Sequence, residues 1–132
     1  MNWKLIFGLS LFGMAMAFAT VFWIPVRIEM FIWPVILLLC AYIIAKNAPG
    51  KYFLHGFLVC ILNCVWITTT HIMLSDTYLL SHPEELAHYL DHNENNKTSI
   101  RLAMLTMGPV IGIGTGLVLG LLSILAAKIF NK

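Results

Sequence analysis

Turn-forming and charged residues cut this chain into four apolar runs, each close to the ~20 residues that carry a helix across a bilayer. The runs cover 3–24, 28–45, 52–74 and 100–127. Of the 132 residues 60% are hydrophobic and only 11% are charged, and the mean hydropathy is +0.86. A soluble domain cannot hide that much apolar surface, so the sequence specifies an integral membrane protein. Within lipid every backbone polar group must be satisfied inside its own segment, which makes the runs helices. Lys4, the apolar run after it and Ala17-Phe18-Ala19 have the outline of a signal peptide; the segment is read here as the first span.

The links between the first three runs are short. Ile24-Pro25-Val26-Arg27 makes one tight connection, and Asn47-Ala48-Pro49-Gly50 reads as a turn in which proline and glycine supply the dihedrals. Short links set successive helices antiparallel. The expected fold is therefore one all-α membrane domain over 1–132, with four antiparallel transmembrane helices and a short amphipathic helix in the loop between helices three and four. Lys4, Lys46, Lys51, Lys128 and Lys132 fall on one side of such a bundle, and Arg27, Lys97 and Arg101 on the other. The positive-inside rule places both termini in the cytoplasm, as in a bacterial inner-membrane protein. Trp3, Trp23 and Trp33 stand near run ends, where indoles anchor at the headgroups.

Gly108, Gly112, Gly116 and Gly120 recur every four residues in the last run, so a helix there carries a ridge without side chains. Such a groove admits a second helix at close range. The expected occupant is the first span, where Gly8 and Gly13 offer small surfaces, or a second copy of the chain. Gly108-Pro109 is expected to kink this span, since proline removes a ladder bond.

The loop over 75–99 holds nearly all the acids. Ser81 and Glu84 have capping-box spacing and Pro83 suits a first turn, which predicts a helix over 82–92 with an apolar stripe of Leu86, Tyr89 and Leu90. On it His88 and His92 stand one turn apart, with Glu84, Glu85 and Asp91 nearby. Imidazoles at i and i+4 with carboxylates around them can hold a transition metal, although a solvated polar face is the plainer reading. No HExxH motif accompanies them.

The third span has a polar stripe: Gly56, Cys60, Asn63, Cys64 and His71, flanked by Thr68 and Thr70. Polar groups at membrane depth face other helices or a cavity, and an ionisable one marks a candidate function. Cys60, Asn63, Cys64, Thr68 and His71 are thus a candidate polar path. His55 and His71 are sixteen positions apart, roughly 160° around the helix, so they do not face one haem. Cys60 and Cys64, one turn apart, do not suit a disulfide, and Cys40 also falls in an apolar run.

No nucleophile–base pair, phosphate loop or cofactor motif is present, so the chain reads as non-enzymatic and without cofactor, a metal on the loop helix aside. A formal charge of +2 is too small to imply nucleic acid, and none is expected as a partner. The expected partners are lipids and either a second copy or another membrane protein. Three known architectures of this size are disfavoured: the small multidrug exporters need a carboxylate in the first span, the fluoride channels a glycine- and arginine-containing signature, and the quinone-linked thiol oxidoreductases Cys-x-x-Cys pairs.

Gly56-Phe57-Leu58-Val59 opening the third span, Leu80-Ser81-His82-Pro83-Glu84-Glu85 after it and the glycine-rich last span ending in Ala127-Lys128 resemble the uncharacterised four-helix membrane proteins of Bacteroidetes-type bacteria. The resemblance covers the C-terminal half and implies a fold and a location, with no catalytic residue to carry over. The leading expectation is an accessory or structural subunit that assembles through the glycine ridge. The alternatives are a small transporter or channel using the third-span stripe, and metal binding or sensing on the loop helix.

Overall fold

The computed structural model describes residues 1–83, 87 and 97–130. Its helices are α1 Trp3–Phe22, α2 Val26–Asn47, α3 Tyr52–Met73, α4 Ser75–Ser81 and α5 Lys97–Phe130. Four of them, all but α4, are long and apolar enough to cross a membrane. Their outer faces are apolar and open: Phe31 is 78% exposed, Met73 76% and Val110 64%. A surface of that kind belongs in lipid, not in water.

The helix ends follow local chemistry. Asn2 caps α1, its side-chain oxygen accepting from the Leu5 amide at 3.2 Å. Pro25, in extended geometry, starts α2. The link between α2 and α3 needs two left-handed residues in succession, Gly50 at φ 124° and Lys51 at φ 50°. Glycine takes the first without strain. The Lys51 carbonyl then accepts twice from His55, from its amide at 3.1 Å and from Nδ1 at 3.0 Å.

His55 is completely buried, and its other ring nitrogen, Nε2, accepts the Asn2 amide at 3.0 Å. Nδ1 therefore carries the hydrogen and the ring is neutral. This one side chain ties the start of α1 to the start of α3. His55→Leu leaves the Asn2 amide and the Lys51 carbonyl short of partners, and is expected to cost about 1–3 kcal/mol, read as a lower melting temperature of the detergent-solubilised protein.

Packing departs from chain order. Helix α3 is central, lying along α5 and α1, while α2 leans on α5 and touches α1 and α3 only sparsely. The glycine ridge explains the tightest contact. Side chains added at Gly120, Gly116, Gly112 and Gly108 would meet Phe53, Phe57, Cys64 and Thr68 in turn, the numbers rising along α3 as they fall along α5. Gly56 on α3 returns the favour, pressed against the Leu119 carbonyl. The ridge is thus filled by α3, not by α1 or a second copy. Gly13 of α1 receives Asn63 of α3, and Gly8 faces open space.

Helix α5 continues as one element through Pro109, and α2 likewise through Pro34, so neither proline ends its helix. Ser81, expected to cap a following helix, lies inside α4 with its hydroxyl donating to the Thr77 carbonyl at 3.1 Å. Most of the expected 82–92 helix, including Glu84, Glu85, His88, Asp91 and His92, lies outside the described residues.

Two packed clusters hold the bundle. One joins Ile6, Leu9, Cys40, Ile44, Val59 and Leu119, the other Val21, Tyr78, Leu79, Ile100 and Met104. Helix α4 supplies two members of the second, folding over the end of α1. Buried hydroxyls are satisfied locally, as lipid demands: Ser10 donates to Phe7, Thr20 to Ala17 and Ser123 to Leu119.

Candidate functional site

Because α2 leans on α5 and barely reaches α3, space is left between them. A cavity of about 480 Å³ occupies it, running from Cys60 in the first cluster to Tyr78 and Met104 in the second. That volume lies in the range of small-molecule sites, about 300–1,000 Å³. All five residues of the polar stripe, Cys60, Asn63, Cys64, Thr68 and His71, line it. Opposite them α2 contributes Glu29, Trp33 and Leu37, and α5 contributes Gly108, Gly112 and Thr115 among others. The missing side chains of the two glycines make room for Thr68 and Cys64, so the ridge both packs α3 and helps shape the cavity wall.

The polar groups differ in how far they are committed. Thr115 donates within its own helix to Ile111 at 2.8 Å, with Gly112 at 3.3 Å, and its side chain also meets the Cys60 thiol. Cys64 Sγ lies 3.8 Å from Thr68 Oγ1, a weak bond within α3. Asn63 is 4% exposed, and its Oδ1 sits in the notch left by Gly13 without a hydrogen-bond partner. Among the described residues only it and His82 Nε2 are buried in this way.

His71 closes one end. Its Nε2 lies 3.3 Å from Thr20 Oγ1, whose hydrogen goes to the Ala17 carbonyl, so Nε2 is the donor. Its ring stacks on Tyr78 at 4.2 Å, and Tyr78 stacks on His82 at 4.3 Å. His82 Nδ1 donates to the Tyr78 carbonyl at 2.9 Å, and the residue also lines a smaller cavity of about 150 Å³ beside Thr20. The three rings make a polar column from the large cavity to the end of the bundle.

Glu29 and Trp33 were not expected here. The Trp33 indole donates to Glu29 Oε1 at 2.9 Å, and both side chains are half-buried. Trp33, expected from sequence as a headgroup anchor, also forms part of the cavity wall. The signal available in the sequence was an acid one helical turn before a tryptophan inside a span, since i and i+4 share a face. Trp66, likewise unassigned, donates to Ser10 Oγ at 3.2 Å and ties α3 to α1.

No family model, curated protein or solved structure matches this chain.

Function must therefore be argued from the site. Among the described residues no three His, Cys, Asp or Glu side chains converge as a metal centre would require. The three cysteines are free, and Cys40 and Cys60 are buried. The described lining thus combines one carboxylate with amide, hydroxyl, thiol and imidazole groups on otherwise apolar walls. That is a composition for holding a small molecule by shape and a few directed contacts.

Proposed function

We propose that this chain is a small, non-enzymatic membrane protein of the transporter class that holds a solute inside its helical bundle. The observation that carries the proposal is the convergence of Cys60, Asn63, Cys64, Thr68 and His71 on one cavity at membrane depth. Polar groups there need a partner, and a hydrated solute path supplies one. In this reading the four spans are antiparallel in a bacterial inner membrane, of the kind found in the Bacteroidetes-type proteins it resembles, with both termini cytoplasmic. Glu29, His71 and Tyr78 then mark an outer mouth.

The accessory-subunit reading takes the glycine ridge as the assembly surface, and α3 occupies that ridge. It is the weaker reading for that reason. Native mass spectrometry of the protein extracted gently from its own membrane distinguishes the two. The expected spectrum shows the chain carrying one small molecule other than phospholipid. A stable complex with a different membrane protein, with no small molecule bound, would overturn the proposal.

A further inference from the structure

The cavity's charge pattern points to the solute. Its described lining contains one carboxylate, Glu29, and no lysine or arginine. The bond that Glu29 makes to the Trp33 indole comes from a neutral donor, so it orients the carboxylate without balancing its charge. In a low-dielectric surrounding an unbalanced negative charge attracts a cation strongly. Trp33 adds the ring type that binds cations best.

An inorganic cation does not suit the site. Calcium takes six to eight oxygens and magnesium a tight octahedron. Here one carboxylate faces a cavity of about 480 Å³ walled largely by Leu37, Ile67 and Ile111, and the hydroxyls of Thr68 and Thr115 are too few to complete either shell. Met104 and Met107 complete the wall with unbranched, adaptable side chains that accept varied apolar shapes. A bulky apolar body bearing a positive centre matches both halves of this lining.

We propose that the cavity is a binding site for amphipathic organic cations, with Glu29 as the charge partner and Trp33 as its positioning residue. This rests on the cavity being a solute site at all. The probe pair is tetraphenylphosphonium and tetraphenylborate, alike in shape and opposite in charge. Each is measured by equilibrium dialysis against the full chain in phosphatidylcholine nanodiscs, with empty nanodiscs as the blank. Occupancy of the cavity is read separately, as slowing of Cys64 modification by a small thiol reagent.

Tetraphenylphosphonium is expected to bind saturably, one per chain, and to protect Cys64. Glu29→Gln keeps an oxygen for the Trp33 indole and is expected to weaken phosphonium binding at least tenfold. Trp33→Phe removes the indole bond, keeps the charge, and is expected to weaken it only a few-fold; it serves as the second variant should Glu29→Gln fail to fold. If tetraphenylborate binds and protects as well as the phosphonium, or Glu29→Gln leaves phosphonium binding unchanged, the cation assignment is overturned and the cavity reading stands. If neither ion binds or protects, both fall.

Discussion

Gly56→Leu is expected to abolish folding of the bundle, and Gly56→Ala to destabilise it by about 1–3 kcal/mol, the usual cost of overpacking. A methyl group at this position would lie 2.7 Å from the Leu119 carbonyl oxygen, 2.8 Å from its carbon and 2.8 Å from Ser123 Oγ. Two of these atoms are backbone, and the hydroxyl is held by its own bond to Leu119 at 2.7 Å. No side-chain rotation relieves the contact, so α3 and α5 must separate. At Gly116 and Gly120 the nearest atoms belong to the rings of Phe57 and Phe53, and the backbone carbonyl oxygens lie farther off, at 3.3 and 3.0 Å, so alanine there is expected to cost less. Gly8→Ala and Gly114→Ala are the controls: nothing lies within 4 Å of either new methyl. Melting followed by size-exclusion chromatography in one detergent should leave these two at or above the parent and Gly56→Ala clearly below it. A Gly56→Leu protein that accumulates and melts like the parent would mean that α3 does not lie against α5 as described.

Gly13→Ala is expected to lose about 1–3 kcal/mol for a related reason, and Asn63→Gly to restore most of it. The added methyl would fall 2.6 Å from Asn63 Oδ1, 2.7 Å from Cγ and 2.8 Å from Cβ. Because Cβ is among them, Asn63→Ala does not clear the space and glycine is needed. Asn63→Gly alone leaves a hole and a flexible helix position, which costs about 1 kcal/mol in helix propensity. The double variant exchanges which helix carries the small residue. It should be more stable than the sum of the two single changes by about 1–3 kcal/mol, since residues in direct contact couple by that order. Strict additivity would show that α1 does not pack on α3 through this pair. Unfolding in mixed detergent micelles with the four proteins measured side by side gives the cycle.

Span positions were legible because the apolar runs and their breaks are local properties. The expected 3–24, 28–45, 52–74 and 100–127 lie within a few residues of the observed helices. The polar face of α3 was legible for the same reason, through the spacing of Cys60, Asn63, Cys64 and His71. Lateral order was not. Lipid offers little hydrophobic drive to prefer one helix neighbour over another, so the choice rests on close packing of specific shapes. The four glycines announced a groove without saying that Phe53, Phe57, Cys64 and Thr68 would fill it. Glu29 was obscure because an acid in the first turn of a span looks like an interfacial charge. It becomes part of a site only once α2 leans on α5 and turns Glu29 and Trp33 toward α3. Helix α4 was hidden by its length, seven residues, and is held by Tyr78 and Leu79 in the second cluster more than by its own propensity.

The measurement that bears most directly on the cavity is the rate at which a small, water-soluble thiol reagent modifies each cysteine in native membranes, read by mass spectrometry. Thiol chemistry requires the thiolate and therefore water. Cys64 lines the cavity and is half-buried, whereas Cys40, outside its described lining, is buried. Rapid modification of Cys64 with Cys40 unmodified is the result predicted here. Equal inertness of Cys64 and Cys40 until the protein is unfolded would contradict a solute-accessible cavity along α3.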